Sequence, residues 1–213
     1  MPELTIGFYI WAMFTLLISL LNSISVGAFW SEKENLPTEL KVQLWAGAVM
    51  AACGFFAVFI FPVTYGMVEL HGFEFYAAFL KIGLEPTDIP AMVEVIFSIA
   101  YLLIIFPVLG SGFVIWTNSL VVAYKRRTFG SVAVAGWNSY AQIRNTVSAF
   151  RNVPEVLEVI GKFFEGKSGR KLLVWAILIL IPVAISLGAA VFTTWTIMKL
   201  ADNKFQLDEV AAR

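Results

Sequence analysis

The sequence predicts an all-α integral membrane protein with four transmembrane helices, and three observations lead to that prediction. Hydrophobic residues make up 59% of the 213 residues and charged residues only 14%, whereas a soluble domain has about 45–50% and about 25%. Four stretches reach the length of about 20 mostly apolar residues that a bilayer-spanning helix requires. Nine of the 15 Lys and Arg residues fall between the third and the fourth of these stretches.

The predicted spans cover residues 5–30, 43–68, 92–124 and 172–200, and we assign them to a single membrane domain over residues 1–213. Tryptophan rings favour the headgroup level of a bilayer, and four of them lie near the ends of these spans: Trp30, Trp45, Trp175 and Trp195. Proline removes a backbone donor and kinks a helix, and three spans contain one: Pro62, Pro107 and Pro182. Shape for packing explains these kinks without a gating role.

The distribution of positive charge predicts the orientation, since cytoplasmic loops carry an excess of Lys and Arg. Loops 31–42 and 125–171 contain eleven of these residues, against four in the N-terminus, the loop 69–91 and the tail from 199. We therefore expect residues 125–171 inside, with loop 69–91 and both termini outside, in a bacterial-type inner or plasma membrane. Three basic residues of the predicted outer tail oppose this count: Lys199, Lys204 and Arg213.

The basic segment 125–171 is predicted to form a cytoplasmic amphipathic hairpin of two short helices. Its apolar residues recur at the helical spacing of three and four: Trp137, Tyr140, Ile143, Val147 and Phe150. Asn152 and Pro154 predict the break between the two helices, because proline suits the first turn of a new helix.

This segment is expected to contact anionic lipid headgroups or a partner protein. The candidate surface residues are Lys125, Arg126, Arg127, Trp137, Tyr140, Arg144, Arg151, Arg170 and Lys171.

Residues 161–168 match the P-loop pattern G-x-x-x-x-G-K-[ST], whose backbone amides and lysine bind phosphates. A P-loop follows a buried strand, but the apolar residues before this match recur at helical spacing: Val156, Val159, Ile160 and Phe163. The 47 residues of segment 125–171 are also too few for a nucleotide-binding sheet. We interpret the match as a Gly/Ser hinge beside the membrane, with nucleotide binding as the alternative.

Small residues on one face of the second span predict close helix packing: Gly47, Ala51 and Gly54. Gly188 belongs to a similar set in the fourth span. Asn22 in the first span is expected to hydrogen-bond a neighbouring helix, because an unsatisfied amide in lipid is costly; a pore or substrate contact is the alternative. Such faces suit packing within the bundle or between copies of the chain.

No ionisable residue lies at the centre of a predicted span, and Glu94 comes nearest. Ion-coupled carriers and charged selectivity rings normally carry such a residue at depth. We predict no catalytic, cofactor or metal site, because the chain has one Cys, one His and dispersed carboxylates. The formal net charge of zero gives no reason to expect nucleic-acid binding.

These observations favour a non-enzymatic subunit or scaffold of a larger membrane assembly, such as a secretion, transfer, transport or envelope complex. The alternative is a homo-oligomeric channel or lytic pore, which the kinked spans and Asn22 would permit. A membrane enzyme is a third, weaker hypothesis. The expected partners are membrane lipid, other membrane subunits and copies of the chain itself.

Overall fold

The computed structural model describes the backbone of residues 5–211 and the side chains of residues 5–204 and 206. This part of the chain is all-helical and has no strand, as predicted. A short 3-10 helix, Lys33–Asn35, follows the first of six α-helices. The helices are α1 (Ile6–Gly27), α2 (Thr38–Glu69), α3 (Gly72–Phe79), α4 (Asp88–Arg126), α5 (Phe129–Phe164) and α6 (Gly169–Ala211).

Four of these helices, α1, α2, α4 and α6, are long and apolar enough to cross a membrane. They correspond to the four predicted spans, so that prediction is confirmed at the level of length and composition. α4 has 39 residues and therefore extends over about 58 Å, well beyond a hydrocarbon core of about 30 Å. Each of the three span prolines lies inside its helix without ending it.

Aromatic contacts define the two ends of the helical bundle. At the Phe61 end, the ring of Phe61 lies 4.6 Å from that of Phe8 in α1 and 4.7 Å from that of Phe97 in α4. The Trp30 end is the opposite end of the bundle, where α1 ends. There the ring of Trp30 lies 5.9 Å from that of Trp195 in α6. α1 therefore begins at the Phe61 end, and α6 approaches the Trp30 end as the chain proceeds.

The core lies between α2, α4 and α6. Its largest fully buried apolar side chains are Phe56, Phe73, Ile60, Met92, Ile96, Leu178 and Ile179. Phe73 comes from the short helix α3, which folds over the Phe61 end and inserts this ring among the three long helices. The loop 69–91 is thus part of the packed structure rather than a free connection.

The segment predicted as a two-helix hairpin is one continuous helix, so that prediction is wrong. α5 begins at Thr128, whose hydroxyl accepts a hydrogen bond from the backbone N–H of Ser131 in a capping box. Asn152 and Pro154 lie inside the helix, and Asn152 donates to the hydroxyl of Ser148 one turn earlier. Packing against α4 on both sides of Pro154 accounts for the continuity, since one missing backbone donor does not break a helix held by its neighbour.

α5 runs antiparallel to α4 along most of the length of both helices. The indole N–H of Trp116 donates to the hydroxyl of Ser139 at 2.8 Å. Further along α5 and further back along α4, the hydroxyl of Tyr101 donates to the carbonyl oxygen of Ser148 at 3.5 Å. Phe163 at the end of α5 packs on Trp175 at 5.6 Å between ring centroids. The segment therefore starts at the Trp30 end and returns to the Phe61 end.

This return separates the two basic clusters that were predicted to share one membrane face. Residues 125–127 precede α5 and residues 170–171 follow it, and a helix of 36 residues spans about 54 Å. Because α5 returns along the bundle before α6 begins, Phe8 near the start of α1 and Asp202 in α6 lie at opposite ends of the bundle. The side of the membrane on which each terminus lies stays a prediction, because residues 1–4 and 212–213 lie outside the described part of the chain.

Candidate functional site

The outward face of α5 is the most unusual surface of the described chain. The five residues of the predicted apolar stripe, two of which were also predicted as surface residues, are 58–81% exposed: Trp137, Tyr140, Ile143, Val147 and Phe150. Two uncharged polar residues of α5, Ser139 and Gln142, face α4 instead. A water-exposed amphipathic helix has the reverse arrangement, whereas in lipid polar groups need protein partners.

Hydrogen bonds place α5 at the depth of the four apolar helices. Residues 95–124 of α4 carry no charge, and the middle of that stretch is Leu109. The amide of Gln142 donates to the carbonyl oxygen of Leu109 at 3.3 Å. Arg144, only two residues further, is therefore about 3 Å from that middle along the helix axis, and Arg151 is about 13 Å from it.

Arg144 and Arg151 lie on the exposed side of α5. Neither guanidinium forms an ion pair with any side chain in the described part of the chain. Both were predicted as surface residues at the cytoplasmic side, and both are exposed. α5 is not among the four helices that are long and apolar enough to cross a membrane. α4 satisfies only part of the polar groups of α5, because Ser139 and the Gln142 amide are hydrogen-bonded to α4 whereas the buried side-chain oxygen of Gln142 has no partner.

The exposed charges of α5 continue towards the Phe61 end. Glu158 and Lys162 form an ion pair of 2.6 Å, which lowers the pKa of the Glu158 carboxyl and raises that of the Lys162 amine. These residues lie about 24 Å or more from the level of Gln142, outside a hydrocarbon half-thickness of about 15 Å. Glu158 and Lys162 are therefore paired with each other, in contrast to Arg144.

A cleft of about 680 Å³ lies between α4 and α5 at the Phe61 end. Its lining includes Glu94, the acidic residue predicted nearest to a span, together with Glu155, Tyr101 and Asn152. The cleft is open to its surroundings, so these polar groups can be solvated. The structure thus brings Glu94 and Glu155 to one cleft, which sequence spacing could not indicate.

The small residues predicted for helix packing in α2 lie against α1. A Cβ added at Gly47 would come within 2.8 Å of the Val26 side chain, and one added at Gly54 would collide with the hydroxyl of Ser19. Ala51 between them is fully buried. This face is therefore filled from within the chain. Gly188 differs, since it is exposed with no neighbouring atom within 4 Å of an added Cβ.

Asn22 lines a cavity of about 390 Å³ at the Trp30 end, together with Gln43, Gly47 and Ile115. The amide of Asn118 in α4 donates to the side-chain oxygen of Gln43 beside this cavity. The other lining residues are mainly apolar. The hydrogen bond between Asn118 and Gln43 thus holds α2 against α4. Asn22 borders the cavity, and among the described residues its side chain forms no hydrogen bond to a neighbouring helix, in contrast to the prediction.

A buried carboxylate joins the first and last long helices, and the sequence prediction did not include it. Asp202 is 5% exposed, and its carboxylate accepts hydrogen bonds from the backbone N–H of Ser31 at 3.2 Å and from the amide of Gln206 at 3.3 Å. The amine of Lys199 lies 3.8 Å away. These contacts tie α6 to the end of α1.

The P-loop match occupies the end of α5 and the turn into α6 rather than a strand and loop. The amine of Lys167 donates to the carbonyl oxygen of Phe163 and lies 4.2 Å from the centroid of its ring. Gly166 and Gly169 have φ of 72° and 56°, which glycine adopts readily. The hinge interpretation agrees with this geometry, since the lysine is engaged within the turn.

Within the described residues, no group of three or more His, Cys, Asp or Glu side chains is placed to hold a metal ion. Comparisons with protein-family models, curated proteins and solved structures found no match.

Proposed function

We propose that the chain is a non-enzymatic subunit of a larger membrane assembly, such as a secretion, transfer, transport or envelope complex. One observation carries this proposal: Arg144 lies uncovered at the middle depth of the apolar helices. A charged side chain at the centre of a bilayer costs about 2.5–3.5 kcal/mol even on the insertion scale. A surface that another protein covers avoids this cost, so the outward face of α5 suits an assembly contact.

The composition of this face supports a protein contact. Aromatic residues and arginine are enriched at the cores of protein interfaces, and here Trp137, Tyr140 and Phe150 accompany two arginines. Basic residues at both ends of α5 would contact anionic lipid headgroups outside the interface. Membrane lipid and other membrane subunits are thus the partners that we propose.

We place the Trp30 end inside a bacterial-type inner or plasma membrane. The number of basic residues at each end supports this orientation. Seven lie at the Trp30 end: Lys33, Lys41, Lys125, Arg126, Arg127, Lys199 and Lys204. Five lie at the Phe61 end: Lys81, Lys162, Lys167, Arg170 and Lys171. The positive-inside rule then places the start of α1 outside and the end of α6 inside. Lys199 and Lys204 opposed the orientation predicted from the sequence, whereas in the orientation proposed here they lie on the inner side.

A second candidate is a homo-oligomeric channel or lytic pore, and Arg144 supports it for a different reason. Several copies could turn α5 towards a common aqueous path, where the arginines would stay hydrated. The bulky apolar residues beside Arg144 favour helix packing over a water-filled wall. We therefore rank the assembly subunit first.

Purification from the native membrane in mild detergent tests the proposal. A tagged chain should copurify with defined partner proteins at fixed stoichiometry, measured by native mass and peptide identification. Repeated recovery of the chain without other proteins contradicts the subunit role. Recovery of a closed ring of this chain that conducts ions in liposomes would support the channel instead.

A further inference from the structure

We infer that the outward face of α5 docks a membrane helix of another protein, and that this helix presents a carboxylate to Arg144. The inference rests on the proposed subunit role and specifies the contact. Arg144 lies about 3 Å along the axis from the level of Leu109, which is the middle of the uncharged stretch 95–124 of α4. A carboxylate at that depth satisfies the guanidinium with two parallel hydrogen bonds.

A second copy of the chain cannot supply this carboxylate from its described residues. Copies with the same orientation in a closed assembly place identical residues at the same depth. The acidic residues of α4 and α5 nearest to that depth are Glu94 and Glu155. They lie about 22 Å from Leu109 and about 16 Å from Arg144 along the respective axes. Self-association would instead bring one Arg144 towards another, which disfavours this occupant.

Lipid and water are less suitable occupants of the same face. Lipid would leave the guanidinium without a partner near the middle of the hydrocarbon layer. Water would contact the large apolar side chains beside it, and Ile143 and Val147 are both more than 60% exposed. A partner helix satisfies both requirements, because its apolar side chains pack on the stripe while its carboxylate pairs with the arginine.

Photo-crosslinking from this face tests the inference directly. p-Benzoylphenylalanine at Val147, one turn from Arg144, should form adducts with one transmembrane peptide of another protein when cells are irradiated. Mass spectrometry of the adduct should identify an Asp or Glu within that peptide. The same probe at Phe150 guards against a local folding defect, and the probe at Phe192 on α6, which is 71% exposed, is the matched control.

A charge exchange then tests the pairing. Arg144→Glu should reduce recovery of the crosslinked partner about tenfold or more, as expected when one member of a buried charged pair is lost. Replacement of the partner's carboxylate by arginine should restore recovery in the Arg144→Glu background. Lys81→Glu, an exposed charge change between α3 and α4, should leave recovery unchanged.

The other outcomes overturn the inference in distinguishable ways. Adducts with copies of this chain would show self-association, adducts with phospholipid alone would show a lipid-facing helix, and no adducts would leave the face uncovered. Unchanged partner recovery with Arg144→Glu would reject the pairing while keeping the subunit role. Recovery of no partner from the unaltered chain would reject the subunit role itself.

Discussion

Two helix faces were predicted as contact surfaces, and the described chain covers one of them and leaves the other exposed. The face of α2 with Gly47, Ala51 and Gly54 is covered by α1 of the same chain. The face of α5 with Trp137 and Arg144 is covered by no part of the described chain.

Side-chain size explains the difference. Small residues let two backbones approach closely, which is how membrane helices associate without a hydrophobic driving force. That approach needs a matching helix nearby, and α1 is the preceding helix in the chain. Large aromatic side chains and arginines need a separate surface with its own pockets and charges. The small-residue face of α2 therefore identifies a contact within this bundle, whereas we assign the bulky charged face of α5 to a contact beyond it.

The largest expected effect is a change in the side of the membrane between the two ends of α5. The comparison of the α2 and α5 faces depends on this path. If α5 returns to the Phe61 end as the structure has it, Lys125→Cys and Lys171→Cys should react with an impermeant maleimide from opposite sides of the membrane. Each variant is made in a Cys53→Ala background, because Cys53 is the single native thiol. Reporter fusions at the two ends of the chain should likewise report opposite sides.

Labelling of both introduced cysteines from the same side would contradict this path. It would restore the original four-span topology, with α5 at the membrane surface. Arg144 would then contact headgroups or water, and its face would no longer require a partner helix. A cysteine at Lys33 provides the control, since it should react from the same side as one at Lys125.

The four spans and their approximate ends could be predicted from sequence because each is a long apolar run with at most one charged residue near an end. The path of α5 could not, because its hydroxyl and amide groups make it resemble a surface helix. Only contacts with α4, such as Trp116 with Ser139, show that these groups face protein. Local signals also suggested a break at Pro154, and tertiary packing overrides them. Asp202 was missed because Ser31, the partner that ties it to the end of α1, lies 171 residues away in sequence.

An effect of intermediate size on stability is expected when a methyl group is added to the α2 face that packs on α1. Gly54→Ala should lower the free energy of unfolding by about 1–3 kcal/mol, since the added methyl collides with the buried Ser19 side chain. Gly188→Ala should be neutral or stabilise by up to about 1 kcal/mol, because an exposed helical glycine gains helix propensity without a collision. Thermal and denaturant unfolding of the purified protein in one detergent compares the two variants. Equal destabilisation would mean that Gly188 is also packed, for example against another subunit that copurifies.

The smallest expected effect measures the contact that holds α5 against α4. A double-mutant cycle with Trp116→Phe and Ser139→Ala should give a coupling energy of about 0.6 kcal/mol, the average for such hydrogen bonds in membrane proteins. The matched cycle pairs Trp116→Phe with Thr146→Ala, because the Thr146 hydroxyl donates to the carbonyl oxygen of Gln142 in its own helix, and its coupling should be near zero. Equal coupling in both cycles would mean that Trp116 does not recognise Ser139. The polar side of α5 would then have no specific partner in α4, and the reason for assigning its aromatic and arginine side to another protein would be lost.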